Sequence, residues 1–165
     1  MSRTYEPIAT QTLTSPISSI TFSSIPATYT DLVIVGNYFV TGASNRLTIM
    51  RVGTSNTIDT GSNYSTLYMG GNGSSSFAGV ENNTTGLYGP NHSGGWATSF
   101  INILSYRNTN FKKTILSRGG TSNGNTGQQV GGWNNTAAIN IIRWEPNGDD
   151  FGIGSTFTLY GILAE

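Results

Sequence analysis

The chain has 165 residues, no cysteine and one histidine, and its eight basic residues balance its eight acidic ones. Charged residues make up 10% of the chain, against about 25% in an ordinary domain. The absence of cysteine excludes disulfides and cysteine-based metal sites. The few basic residues form no stripe that could follow the phosphate backbone of a nucleic acid. No apolar run approaches the ~20 residues of a spanning helix. We therefore expect neither a nucleic acid nor a membrane as a partner.

The sequence predicts strands throughout and no significant helix. Short runs rich in Val, Ile, Thr, Phe and Tyr are separated by Gly, Asn, Ser and Pro, and the strong helix formers never cluster. This pattern is typical of one domain, residues 1–165, folded as an antiparallel jelly-roll-like β-sandwich of about ten short strands. The predicted strands cover residues 5–11, 18–24, 29–40, 46–52, 63–69, 74–80, 97–106, 112–118, 128–133, 138–145 and 155–163.

The sequence also predicts where several segments lie in the fold. Pro7 cannot donate a ladder hydrogen bond, so residues 1–14 are expected to form an edge strand or an attachment arm. The strand at 29–40 is apolar on both faces in its middle, which predicts a central position covered on both sides. Residues 41–45 are predicted to form a hairpin loop and 119–127 a polar glycine loop. Residues 81–95 are predicted to be the longest irregular stretch, a kind of segment that often carries function.

The last two predicted strands carry more apolar surface than one sandwich core needs. Ile142 and Trp144 point away from the other apolar residues of their strand, and Tyr160 and Ile162 do the same in the final strand. A second apolar face implies either a covering loop or another subunit, and we favour a subunit because charge is too sparse to keep such faces apart. We therefore predict that these four residues form an oligomer interface, in a homo-oligomer that we expect to be a trimer.

The sequence offers no catalytic apparatus. The single histidine, His92, lies in a polar loop sequence, and no nucleophile-elbow pattern occurs. Asp31 and Glu145 could belong to a glycosidase carboxylate pair, but each is explained by its place at a strand end. The segment 147–150, Asn-Gly-Asp-Asp, is oxygen-rich, yet it lacks the full ligand set of a calcium loop and reads as a turn. We predict no catalytic residue, no metal site, no cofactor and no enzymatic activity.

Aromatic residues near strand ends and loops suggest a binding surface. Tyr88, His92, Trp96 and Trp133 lie among Asn, Ser and Gly, and Tyr38 also lies near a strand end. Exposed aromatics in such surroundings are typical of patches that bind sugars or proteins. Large aromatic side chains are also mostly buried in folded proteins, so packing in a core or an interface is the competing interpretation.

Three stretches of the chain resemble a family of small virion proteins of tailed bacteriophages, cyanophages in particular, described as tail-fibre-like or capsid-associated proteins. The stretches are residues 20–35 (ITFSSIPATYTDLVIV), residues 61–75 (GSNYSTLYMGGNGSS), and residues 133–146 (WNNTAAINIIRWEP) followed by 154–162 (GSTFTLYGI). They cover both ends and part of the middle and contain no catalytic motif. The resemblance implies a component of a phage virion, assembled in the cytoplasm of the host cell.

Two functions compatible with the resemblance stay open. The first is a non-enzymatic capsid decoration or cement protein, which would stabilise the head as a trimer and would contact the major capsid protein. The alternative is a tail-fibre or receptor-binding tip module, which would contact tail proteins and recognise a host surface polysaccharide. The short, compact chain favours the first, because a tip needs an attachment segment and only residues 1–14 could supply one.

Overall fold

The computed structural model describes residues 5–42, 46–92 and 95–163, with only the backbone of residues 46 and 90–92. Within these ranges the chain forms thirteen strands and no helix. The strands are β1 (Tyr5–Thr12), β2 (Ile20–Phe22), β3 (Asp31–Phe39), β4 (Arg46–Thr54), β5 (Thr57–Ile58), β6 (Tyr64–Gly71), β7 (Ser76–Thr84), β8 (Leu87–His92), β9 (Trp96–Ile103), β10 (Lys113–Thr121), β11 (Thr126–Trp133), β12 (Ile141–Pro146) and β13 (Thr156–Ile162).

Eight strands form a large sheet in the order β1-β13-β3-β9-β10-β11-β6-β7, and every pair is antiparallel. β1 is one edge strand, and its register shifts between Pro7 and Ala9, where proline interrupts the ladder. β3 lies inside the sheet, where Leu32 and Ile34 face the interior and the alternate residue Val33 is buried as well. β7 is the other edge and pairs only with β6.

A smaller sheet packs over one face of the large one. Its order is β2-β12-β4, and β4 carries two short partners on its far side. β5 pairs with Gly53 and Thr54, whereas β8 pairs with the earlier part of β4, from Arg46 to Met50. The smaller sheet therefore ends at β8, while the large sheet continues as the hairpin of β6 and β7.

The core between the sheets is centred on four aromatic side chains, Tyr38, Trp144, Phe151 and Phe157, which we call the aromatic core. All four are completely buried. Their ring centroids lie 4.7 to 6.1 Å apart, and most pairs meet edge to face, the arrangement that aromatic quadrupoles favour. Gly36 lies against this cluster, since a Cβ there would come within 2.6 Å of the Trp144 ring.

The prediction of an all-β sandwich without helix is confirmed, whereas the strand order does not confirm the jelly-roll arrangement. Three local predictions were wrong. Residues 81–92 are not irregular, because β7 continues to Thr84 and β8 follows at Leu87–His92, while residues 93–94 of the predicted stretch lie outside the described residues. The glycines at 119–127 lie largely within β10 and β11, paired across the hairpin. Residues 41–45, of which 43–45 lie outside the described residues, lie between strands of different sheets and so form no hairpin.

The predicted oligomer interface must also be corrected. Ile142 and Trp144 have no exposed surface, because the large sheet covers them within the single chain. Tyr160 and Ile162 are half-buried on the opposite, outer face of the large sheet, where Tyr160 meets the ring of Tyr5 at 6.2 Å. The four residues therefore do not share a face, and only the last two lie on a surface that could meet another subunit.

Candidate binding surfaces

The outer face of the large sheet is not covered by any described segment. Across β7, β6, β11 and β10, four apolar side chains stand in register, which we call the apolar row: Val80, Leu67, Val130 and Leu116. Val80 is 61% exposed, Val130 49% and Leu67 46%, and Leu116 is half-buried. Scattered exposed apolar residues are ordinary, but a contiguous row is a signature of a contact surface.

A second row lies beside the first, two residues away along each strand, which is the spacing of neighbours on one face of a sheet. It runs from Ala78 through Met69, Gln128 and Arg118 to Phe100. The guanidinium carbon of Arg118 lies 5.5 Å from the centre of the Phe100 ring, a cation–π distance. A broad hollow of about 1010 Å³ lies over this row. The outer face thus combines the apolar row with a mixed second row, in which Gln128 and Arg118 are the polar members.

The inner face of the β6–β7 hairpin presents two aromatic rings laid over glycines of the partner strand. Tyr68 is paired with Gly79, where a Cβ would come within 2.5 Å of Tyr68 Oη. Phe77 is paired with Gly70, where a Cβ would come within 2.6 Å of Phe77 Cζ. Because neither glycine has a side chain, both rings can lie low against the backbone. We call these two rings the aromatic floor, and Phe77 remains 41% exposed.

A cleft of about 380 Å³ opens over the aromatic floor. Leu47 of β4 and Tyr88 and Gly89 of β8 line it from the smaller sheet. Glu81 of β7 and Gln129 of β11 line it on the side of the large sheet. The cleft therefore brings aromatic side chains together with a carboxylate and an amide, a mixture of apolar surface and hydrogen-bonding groups typical of small-ligand sites.

A carboxylate anchors the base of this hairpin. Asp59 accepts hydrogen bonds from Trp133 Nε1 at 2.7 Å, from the Gly61 amide at 2.8 Å and from Asn63 Nδ2 at 2.9 Å. The Tyr64 hydroxyl donates to the Asp59 carbonyl at 2.9 Å. Burial raises the pKa of the Asp59 carboxyl, but the donated hydrogen bonds outweigh it, so the pKa lies below its ordinary value.

A buried cation has a structural role at the start of β10, where Lys113 is paired with Trp133. Lys113 is 1% exposed, and its Nζ donates to the carbonyls of Asn108, Phe111 and Thr136. Burial lowers the pKa of its ammonium group. The three carbonyl acceptors compensate for the lost hydration, so this lysine closes two loops and does not face a ligand.

The structure separates the predicted surface residues. Trp133 is 1% exposed and donates to the carboxylate described above, so its prediction as a surface residue was wrong. Tyr38 is likewise buried, in the aromatic core. Trp96 is 45% exposed on the outer face, 6.2 Å from the ring of Phe39, whereas Tyr88 lines the cleft. The backbone of His92 ends β8, and its side chain lies outside the described residues.

The acidic residues considered for catalysis have partners within the fold. Asp31 accepts a hydrogen bond of 2.6 Å from the Ser105 amide at the start of β3. Glu145 pairs with Arg51 and lies 3.0 Å from Arg143 Nε on the outer face of the smaller sheet. The Asp31 carboxylate thus fixes the start of β3, and the Glu145 carboxylate links β12 to β4.

The segment 147–150 forms the turn after β12, with Gly148 at a φ of 87°, a conformation that glycine adopts without strain. The described part of the chain contains no group of three His, Cys, Asp or Glu residues placed to hold a metal ion. Among the described residues there is also no helix of a length and hydropathy that would span a bilayer.

Sequence reasoning missed both candidate surfaces, although β6 contained the signal. Its alternation places Tyr64, Thr66 and Tyr68 on one face, and Leu67 and Met69 on the other. Apolar residues on both faces of one strand indicate a second contact surface. Comparison with protein-family models and with curated proteins found no match for this chain.

Proposed function

We propose that the chain is a non-enzymatic structural protein of a phage particle, a capsid decoration protein that assembles as a trimer through the outer face of its large sheet. The observation that carries the proposal is the apolar row on that face. Three of its four side chains are between 46% and 61% exposed, which a soluble surface rarely tolerates in a contiguous strip.

The outer face is also large enough to form a stable contact. Eight strands about 4.8 Å apart, each rising about 3.4 Å per residue over some seven steps, span roughly 800 Å². A stable interface buries about 800 Å² per partner. Arg118 is the only charged side chain in the two rows described above, so different parts of the face can meet the two neighbouring subunits of a trimer without strong repulsion. The part of the proposal that concerns a phage particle rests on the resemblance of residues 20–35, 61–75 and 133–146 to virion proteins.

The native mass of the purified chain tests the assembly. We expect three times the chain mass at micromolar concentration, and a monomer from Val130→Asp, because a buried carboxylate without a partner is strongly disfavoured. Thr21→Asp is the matched control, since Thr21 is exposed on β2 of the smaller sheet, away from the outer face of the large sheet, and it should leave the native mass unchanged. A wild-type monomer, or a trimer that survives Val130→Asp, would contradict the proposed interface.

The copy number on the particle distinguishes the head from the tail. Hundreds of copies spread over the shell support decoration, because each site of a capsid lattice would carry its own trimer. A few copies at the tail would instead support the second candidate, a receptor-binding tip. That candidate is favoured by one observation, the cleft over the aromatic floor.

A further inference from the structure

We infer that the cleft between the β6–β7 hairpin and β8 is a binding site for a neutral saccharide, and that the aromatic floor is its stacking surface. This inference does not rest on the assembly proposal, because the residues that carry it lie on the inner face of the hairpin and the apolar row lies on its outer face; Met69 of the second outer row also lines the cleft.

The first argument is the shape of the floor. Gly79 lies beneath Tyr68, and Gly70 lies beneath Phe77, so both rings lie close over the backbone of the partner strand, and both line the cleft. A pyranose ring has a flat, apolar C–H face that packs on such a surface. An aromatic side chain on a hairpin is usually covered by the partner sheet, yet Phe77 keeps 41% of its surface exposed.

The second argument is the chemistry of the lining. Glu81 supplies carboxylate acceptors, and Gln129 supplies both an amide donor and a carbonyl acceptor. Sugar hydroxyls donate and accept, so they can use both residues at once. A cavity of about 380 Å³ lies in the range of small-ligand sites, which is about 300 to 1,000 Å³.

The third argument concerns charge. Glu81 is the only charged side chain among the described residues that line the cleft, so an anionic ligand would meet repulsion and no cation. A quaternary ammonium ligand is the rival, because aromatic rings and a carboxylate can form a cage. A cage needs rings on all sides of the cation, whereas Tyr68 and Phe77 lie on paired strands of one sheet and Tyr88 is the one aromatic ring among the described lining residues that faces them from the smaller sheet. The geometry therefore favours a neutral ring that stacks.

The test is binding of the full chain to an array of neutral, sialylated and sulfated glycans, followed by calorimetry with the best neutral oligosaccharide and, separately, with choline chloride. We expect binding to neutral glycans alone, and Tyr68→Ala should weaken it by roughly tenfold or more, as expected for loss of an aromatic stacking contact. Phe111→Ala is the matched control, because Phe111 is an exposed aromatic side chain that belongs neither to the cleft lining nor to the two rows on the outer face.

A glycine variant tests the floor without removing an aromatic ring. Gly79→Ala would place a methyl group 2.5 Å from Tyr68 Oη, so the ring must lift into the cleft and binding should fall. Gly132→Ala is its control, since the nearest atom to a Cβ there is 3.8 Å away. Absence of neutral-glycan binding, binding of choline in its place, or binding unchanged in both Tyr68→Ala and Gly79→Ala would overturn the inference. The native mass measured on the same samples reports separately on assembly.

Discussion

Two groups of aromatic side chains on the inner face of the same sheet have different surroundings. In the aromatic core, Tyr38 and Phe157 face Trp144 of the smaller sheet and are completely buried. On the β6–β7 hairpin, Tyr68 and Phe77 lie on the same inner face, yet Tyr68 is half-buried and Phe77 is exposed. The difference arises because the smaller sheet ends at β8. Inward-facing aromatic residues of the same sheet therefore form a buried core where the smaller sheet covers them, and they line a cleft where it does not.

Truncating one ring in each group should give the largest contrast in stability. Trp144→Ala removes a ring that contacts three other aromatics, and it should lower the free energy of unfolding by about 3–5 kcal/mol. Phe77→Ala should lower it by less than about 1 kcal/mol, because much of that side chain is already in water. Denaturant titration of both variants measures the contrast. Equal losses would mean that the hairpin belongs to the same cooperative core.

Sequence reasoning succeeded where a single strand carries its own signal. The proline in β1 indicates an edge, and the run Leu32-Val33-Ile34-Val35 indicates a central strand, because each property depends on local chemistry. It failed where the answer depends on the partner sheet. The apolar residues of β12 look like a surplus face, but Ile142 and Trp144 are covered within the chain.

The glycine-rich segments show the same limit for the candidate site. Glycine clusters usually indicate loops, so the strand ends at 119–127 were predicted as a loop. In the structure Gly119 pairs with Gly127 across β10 and β11, while Gly70 and Gly79 make room for cross-strand rings. Only the pairing register reveals which ring lies over which glycine, and that register depends on the turn geometry and on which face the partner sheet buries.

A matched pair of glycine substitutions should give the next largest effect. Gly36→Ala places a methyl group 2.6 Å from the Trp144 ring and 3.1 Å from Phe157, and neither ring has space to move. We expect a loss of about 2–3 kcal/mol in unfolding free energy from overpacking. Gly79→Ala makes an equally close approach, but to the free end of Tyr68, which can rotate toward solvent. Thermal denaturation should show a large drop in melting temperature for the first variant and little change for the second.

The smallest expected effect concerns the Asp59 anchor, which ties the hairpin to the rest of the fold. Its carboxyl has a folded-state pKa below the unfolded value, so its contribution is fully present above the unfolded pKa, near pH 4. The contribution is lost as the pH falls through the folded pKa. Asp59→Asn should cost about 1 kcal/mol at neutral pH, because an amide replaces a charged acceptor of three hydrogen bonds.

Acid should therefore affect the hairpin more than the aromatic core. Hydrogen exchange at pH 3 and pH 6, with each rate compared with the intrinsic rate at that pH, should show lower protection in β6 and β7 at the lower pH, whereas the strands that hold Tyr38 and Phe157 keep their protection. Asp59→Asn should show low protection in the hairpin at both pH values, since it lacks the group that titrates. A parallel loss of protection in both regions of the wild-type protein would show that the anchor stabilises the sandwich as a whole and does not act on the hairpin alone.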